Sequence, residues 1–166
     1  MPSTGLFAIF AGTVVITTAA VLQTRVQRVP NAFALGSLAL AWAVALSMTV
    51  TGAAPGGLAS SIGGALVGGM MLLPLYFIGG LGAGCVKAQM SFGAWIGCAM
   101  GFSPSVQTVA IATLAGIVML RGLYSAVVRL YPSVEYDLST WQMNAQSPLS
   151  LGSIAGLIGC LWYGVV

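Results

Sequence analysis

The sequence predicts an all-α polytopic membrane protein, with about six transmembrane helices that form a single transmembrane domain over residues 1–166. Of the residues, 58% are hydrophobic and 4% are charged, and the mean hydropathy is +1.02, whereas soluble domains carry about 25% charged residues. The apolar residues form stretches near the ~20 that cross a hydrocarbon core as a helix. These stretches lack strand alternation, and backbone amides within a bilayer must bond inside helices or closed barrels.

The connections between the apolar stretches contain residues that end or begin helices. Pro30 closes a polar segment, Thr51 opens an uncharged turn rich in glycine, and Ser103 offers a helix cap before Pro104 in a first turn. Pro132 stops the fifth stretch and opens a polar loop at 132–147. The six predicted helices lie at about 5–22, 32–50, 58–79, 88–102, 104–124 and 148–165.

The five cations predict an orientation in the bilayer. They fall between helices 1 and 2, between helices 3 and 4, and between helices 5 and 6, whereas the other connections have none. The positive-inside rule therefore predicts cytoplasmic basic loops and both termini outside. The first stretch lacks a basic leader, which predicts a retained helix instead of a cleaved signal. The cations are Arg25, Arg28, Lys87, Arg121 and Arg129.

Residue types that are missing exclude several kinds of chemistry. There is no histidine, which excludes Ser-His and Cys-His dyads, His-ligated haem or chlorophyll, and conventional His-containing zinc sites. There is no Cys-x-x-Cys spacing among Cys85, Cys98 and Cys160. We interpret Cys98 and Cys160 as small buried hydrophobes. Cys85 belongs to a motif that is described below. We expect no metal site and no cofactor, and the lack of a basic patch predicts no nucleic-acid partner.

Glycines recur every fourth residue in three of the predicted helices. Such stripes let two helix backbones approach closely in lipid, where burial of apolar side chains contributes little. The pattern predicts tight helix packing, either within the chain or against a partner protein. The predicted packing positions are Gly64 and Gly68 in helix 3, Gly93, Gly97 and Gly101 in helix 4, and Gly152 and Gly156 in helix 6.

Residues 82–87 carry a motif with one unexpected residue. They read Gly-Ala-Gly-Cys-Val-Lys, which resembles the Gly-x-Gly-Asp-Val-Lys signature of the short type IV prepilin peptidases, a group of membrane aspartyl peptidases. Gly82, Gly84 and Lys87 match that signature. Cys85 stands where the family carries a catalytic aspartate. We refer to residues 82–87 as the second motif.

Residues 23–31 resemble the first motif of the same family, in which an aspartate precedes basic residues and Ile-Pro-Asn. Gln23 stands where the first catalytic aspartate would be. The resemblance therefore implies that both catalytic carboxylates have been replaced. The remaining matches in this first motif are Arg25, Arg28, Pro30 and Asn31.

The replaced residues are poorly suited to the chemistry that the resemblance implies. Members of the family cut leaders from pilin precursors with two aspartates at the cytoplasmic membrane edge, and such a pair shares a proton. The amide of Gln23 takes up no proton near neutral pH, and the Cys85 thiol has no histidine to assist it. Glu135 and Asp137 lie in the polar loop, where solvated carboxylates usually serve at the surface. Residues 148–152 weakly resemble the last family helix. The resemblance as a whole implies a prepilin-peptidase-like bundle that resides in a bacterial cytoplasmic (inner) membrane.

Three functions remain open from the sequence. The first is an inactive structural subunit of a larger membrane complex, for example a respiratory or photosynthetic one. The second is a pseudopeptidase that binds pilin-like helices in a pilus or secretion system, and the third is a peptidase with residual activity. The predicted partners are membrane lipids, other transmembrane subunits, and pigments or quinones held without His ligation.

Overall fold

A computed structural model describes residues 3–26, 29–52, 57–78, 81–130, 153–155 and 158. The described residues contain five long helices and no strand, which confirms the all-α prediction. Residues 153–155 and 158 are also helical and fall in the predicted sixth helix. The rest of that helix and the predicted polar loop lie outside the described residues. The helices are α1 (Ser3–Val26), α2 (Asn31–Thr51), α3 (Leu58–Phe77), α4 (Ala83–Ala99) and α5 (Phe102–Leu130).

Four of the five helices are long and apolar enough to cross a membrane. They are α1, α2, α3 and α5, and their spanning windows have a mean hydropathy between 1.5 and 2.2. The remaining helix, α4, has 17 residues and is therefore roughly 25 Å long, shorter than a hydrocarbon core of ~30 Å. By length and composition, these helices are those of a multi-pass membrane protein.

The fourth helix begins five residues earlier than the sequence predicts. Gly82 is its N-cap, with an extended backbone, and the amide of Cys85 donates a 3.0 Å hydrogen bond to the Gly82 carbonyl. Cys85 and Lys87 therefore lie inside α4, and the predicted loop between helices 3 and 4 does not contain them. The glycines suggested a turn, but a glycine inside a helix costs only about 0.5–1 kcal/mol relative to alanine, which the packing of α4 can offset.

The fourth helix also ends earlier than predicted. Met100 has an extended backbone, and the Gly101 carbonyl accepts a 3.0 Å hydrogen bond from the amide of Ser105 in the next helix. Phe102 begins α5 two residues before the predicted start, because Pro104 fits in a first turn that needs no amide from it. Gly101 therefore lies between the two helices and not on the α4 glycine stripe.

The first helix extends beyond its predicted end, and α5 continues past its predicted spanning segment towards Pro132, as the sequence predicts. Gln23 and Arg25 lie in the last turns of α1, and Arg121 and Arg129 lie in α5, which continues to Leu130. The predicted end of the first helix followed the apolar residues only, whereas a helix continues past the hydrocarbon where its sequence contains no proline or glycine pair to stop it. The predicted second and third helices differ from α2 and α3 by no more than two residues.

The central helix of the bundle is α4, which packs against the four other long helices. Its tightest neighbour is α3, which crosses it in the opposite direction. A Cβ added to Gly64 would overlap the backbone of Gly93, and one added to Gly97 would overlap the backbone of Ser60. A Cβ on Gly68 would lie 2.7 Å from the carbonyl oxygen of Gln89. The two backbones are therefore in direct contact along both helices.

Hydrogen bonds and ring contacts fix the other helices on α4. The Ser91 hydroxyl donates a 2.7 Å bond to the Ala34 carbonyl, and the Trp95 indole N–H donates a 3.2 Å bond to the Ser37 hydroxyl, so that α2 runs parallel to α4. The rings of Phe7 and Trp95 meet edge to face with centroids 6.4 Å apart, which places α1 on the same region of α4.

The helix directions bring the described basic residues to one end of the bundle. Because α1, α3 and α5 run antiparallel to α4, they end at the side of the bundle where α2 and α4 begin, and α5 continues to Leu130 past Ile117, which packs against Cys85 in the first turn of α4. The positions that carry Arg25, Lys87, Arg121 and Arg129 therefore share this end, which we call the basic end. Both sequence motifs also lie there.

Candidate functional site

The two sequence motifs are joined by a hydrogen bond at the basic end. The Nζ of Lys87 on α4 donates a 2.8 Å bond to Oδ1 of Asn31, the first residue of α2. The two residues are 56 positions apart in the chain. Pro30 places Asn31 at this point, because its extended backbone caps α2 and its carbonyl accepts the amides of Phe33 and Ala34. The matched lysine of the second motif thus touches the matched asparagine of the first.

A close backbone approach lies beside this bond. A Cβ on Gly84 would lie 3.1 Å from the Cβ of Val29, so a larger residue at 84 would require Val29 to shift by a few tenths of an ångström. Val29 packs with Ala19, Ala34 and Ala88 in a small buried cluster that joins α1, α2 and α4. The glycine of the second motif therefore allows a close approach between the motifs.

Gln23 lies near this cluster along the chain. It follows the buried Ala19 by four residues, which is one helical turn closer to the end of α1. The side chains of Gln23 and Arg25, and the whole of Arg28, lie outside the described part of the structure. The structure therefore places the backbone of Gln23 at the basic end, and its side-chain contacts remain a prediction from the motif.

Cys85 occupies an apolar environment on another side of α4. Its side chain is 1% exposed and packs with Leu72, Leu81 and Val86, and Ile117 of α5 covers the same cluster. This cluster is separate from the one that joins the motifs. A cysteine acts as a nucleophile through its thiolate, which an apolar environment disfavours. These surroundings suit a buried hydrophobe better than a nucleophile.

A polar contact that the sequence analysis missed lies one turn further along α4. The Nε2 of Gln89 donates a 2.9 Å bond to Thr113 of α5 and a 3.3 Å bond to Ser153, and the Ser153 hydroxyl is 3.5 Å from Oε1 of Gln89. All three side chains are fully buried. The sequence contained one signal of this contact, which was the amide residue Gln89 within an apolar helix. Such residues usually form hydrogen bonds to a neighbouring helix.

The described residues offer no pair of groups for acid–base chemistry. Among them, no group of three or more His, Cys, Asp or Glu side chains could hold a metal ion. Cys98 is buried at the opposite end of α4, with its sulfur 3.5 Å from that of Met48. The only two carboxylates in the sequence, Glu135 and Asp137, fall outside the described residues. Gly152, Gly156 and Cys160 fall outside them as well.

Comparison with known proteins identifies one family. A sequence model described as the type IV leader peptidase family matches residues 7–121, which include both motifs and more than two thirds of the chain. No curated protein and no solved structure matches the chain.

Proposed function

This chain belongs to the type IV leader peptidase family, and we propose that it is a catalytically inactive member that serves as a structural or accessory subunit of a larger membrane complex. The family is one of aspartyl peptidases. Two questions follow from its membership: whether this chain can cleave a peptide bond, and what its scaffold does if it cannot.

The residues at the two catalytic positions support loss of activity. An aspartyl mechanism needs two carboxyl groups close enough to share one proton, one acting as the base on water and the other as the acid. Gln23 offers an amide that does not exchange a proton near neutral pH, and Cys85 offers a thiol within an apolar cluster. A lone thiol without a described base or acid beside it is a poor replacement for the pair.

The observation that carries the proposal is the hydrogen bond between Lys87 and Asn31. This bond and the approach of Gly84 to Val29 keep the two motifs together, although the carboxylates that would work between them are replaced. Residues that match the family motifs thus hold the site together around two positions that carry no carboxylate. Such a pattern is expected where the scaffold is useful and the reaction is not.

The outer faces of the bundle support a role within a membrane assembly. Large apolar side chains are exposed on four helices, among them Phe10 on α1, Val50 on α2, Phe77 on α3 and Val118 on α5. Lipid tails cover such faces, and they can equally pack against transmembrane helices of other subunits. Pigments or quinones could contact the same faces without a histidine ligand.

The distribution of charge supports one orientation for this subunit. The four basic positions of the described helices share the basic end of the bundle, and the positive-inside rule assigns such an end to the cytoplasm. We propose that the chain resides in a bacterial cytoplasmic membrane with the motifs at its cytoplasmic edge.

Purification from native membranes in a mild detergent tests the subunit proposal. The affinity-tagged chain should bring down a defined set of membrane proteins in fixed stoichiometry. A variant with smaller side chains on an outer apolar face, such as Phe10→Ala with Val14→Ala, tests whether the copurifying proteins bind to that face of α1. Recovery of the chain with lipid alone, at native expression levels, would contradict the proposal.

A pseudopeptidase that binds pilin-like helices is the second candidate. The Lys87–Asn31 bond favours it, because the junction of the motifs keeps its structure at the edge where the family acts. Photo-crosslinking from a residue such as Ala83, which is exposed within the second motif, tests this candidate. A crosslink to a pilin precursor that stays uncut would support it, and crosslinks to other membrane subunits alone would favour the first proposal.

A further inference from the structure

We propose that Lys87, held by Asn31 at the basic end, binds the headgroup phosphate of an anionic phospholipid. This site goes beyond the proposed function, because it concerns the lipid that the chain selects, whether or not the chain is inactive or part of a complex. The site is built around a cation for which the described part of the chain offers no carboxylate.

The described partner of Lys87 does not neutralise its charge. The Nζ of Lys87 donates to the amide oxygen of Asn31, and an ammonium group has three donors. None of the residues that the structure describes is an aspartate or a glutamate, since the two carboxylates of the chain are Glu135 and Asp137. Charged side chains in membrane-spanning bundles are usually paired. A negative group from outside the described helices is therefore expected beside Lys87.

The depth of Lys87 places that negative group at the membrane edge. Ile117 of α5 packs in the cluster of Cys85, so these two residues lie at a similar depth. Lys87 is roughly 3 Å deeper along α4 than Cys85, whereas Arg121 is roughly 6 Å nearer the end of the bundle than Ile117. Lys87 is half-buried, and a lysine side chain can extend from such a depth to the headgroups. Lys87 therefore lies closer to the hydrocarbon than Arg121 does.

The helix ends beside Lys87 add to the positive potential. Both α2 and α4 begin at the basic end, and neither has a capping side chain or an acidic residue in its first turn. The first turn of a helix carries unpaired amides and a partial positive charge. Asn31 and Ala83, the first residues of these helices, are exposed. The two helix ends therefore favour the same anion that Lys87 attracts.

A phospholipid fits this place better than a soluble anion does. Leu35 follows Asn31 by one helical turn, so both lie on one face of α2, and Leu35 is 54% exposed. Phe77 and Ile78 are exposed where α3 reaches the same end of the bundle. Acyl chains can lie along α2 below a phosphate at Lys87, whereas a soluble phosphate gains only the attraction of the charges.

Lipid retention by the purified protein tests the site. The tagged full-length chain in dodecyl maltoside micelles is mixed with equal amounts of phosphatidylglycerol and phosphatidylethanolamine, and the bound lipids are counted by native mass spectrometry. We expect the parent to retain phosphatidylglycerol in severalfold excess. Lys87→Gln should weaken that binding about fivefold, the usual effect of one basic residue at an anionic surface.

Two substitutions of Asn31 separate the charge from the hydrogen bond. Asn31→Asp places a carboxylate of the chain against Lys87, so it should remove most of the preference for phosphatidylglycerol while the contact between the helices is kept. Asn31→Ala breaks the same bond but leaves the cation, so it should retain most of the preference.

Arg129→Gln is the matched charge control. It removes one cation from the same end of the bundle, at a position roughly 18 Å further along α5 than Ile117. The variant should retain phosphatidylglycerol as the parent does. An equal loss in Arg129→Gln and Lys87→Gln would show attraction by net charge alone and would overturn the proposal.

Equal preference for phosphatidylglycerol in the parent and in Asn31→Asp would also overturn it. Displacement of the lipid by inorganic phosphate at constant ionic strength would contradict a lipid site and indicate a soluble anion. A preference that appears only in the double variant Glu135→Gln with Asp137→Asn would contradict it too, because the carboxylates of the chain would then occupy the place. If Lys87→Gln does not fold, the comparison of Asn31→Asp with Asn31→Ala still decides the question.

Discussion

Lys87 on the central helix donates a 2.8 Å hydrogen bond to Asn31 at the start of α2, and this single bond joins the two motifs of the family. It lies at the end of the bundle where the described basic positions gather. Because α4 begins at Ala83, Lys87 lies within a helix that runs alongside α2. The geometry of the site is thus maintained by backbone and polar contacts that do not depend on the catalytic carboxylates.

The Lys87–Asn31 bond should contribute modestly to stability. Asn31→Ala and Lys87→Met should each lower the free energy of unfolding by about 0.5–1.5 kcal/mol, the usual net value of one hydrogen bond, because the bond is exposed. Unfolding in detergent, followed by circular dichroism as SDS is added, measures the loss. The double variant should lose less than the sum of the two single variants. Strict additivity would show that the two side chains do not interact in solution.

The α3–α4 crossing should not tolerate a side chain. Gly64→Ala should lower the free energy of unfolding by about 1–3 kcal/mol, as overpacking does, because its Cβ would overlap the Gly93 backbone. Gly36→Ala is the matched control, since a Cβ there meets nothing within 4 Å. That change should stabilise the protein by about 0.5–1 kcal/mol through helix propensity. Equal effects of the two changes would contradict the close crossing.

A carboxylate placed alone at position 85 should be destabilising. Cys85→Asp puts a polar group that needs partners into a cluster of apolar side chains, and we expect it to lower the free energy of unfolding by about 1–3 kcal/mol or more. Cys85→Ala, which adds no polar atom, serves as the control and should cost less. Thermal unfolding in a fixed detergent compares them. A Cys85→Asp protein as stable as the parent would show that the site still accommodates a carboxyl group.

The fold could be predicted from composition and apolar stretches, because a chain with so few charges has few alternatives to helices in a bilayer. The predicted ends of the fourth helix were wrong, because glycine and apolar residues are compatible with both a helix and a turn. Gly82 and Gly84 suggested a turn but cap and open α4, and Gly101 matched the glycine spacing although the helix had already ended. Local composition does not determine these boundaries, since they depend on how closely α3 and Val29 approach α4.

The site could be predicted in part. The motif residues Asn31, Gly84 and Lys87 were identified from the sequence, but their contacts needed the three-dimensional arrangement. Gln89 was missed because no motif contains it, and its partners Thr113 and Ser153 are 24 and 64 residues away in the chain. Contacts between residues so far apart in the chain leave no recognisable pattern in a single sequence. A buried amide in an apolar helix was the only indication.

Cleavage of a pilin precursor tests the central claim most directly. The purified protein is incubated with the precursor in detergent, beside an active family member as positive control, and the leader is followed by mass spectrometry. We predict that the precursor stays intact with this chain while the control removes the leader. Cleavage by the parent protein that disappears in Cys85→Ala would contradict the claim that this family member has lost its reaction.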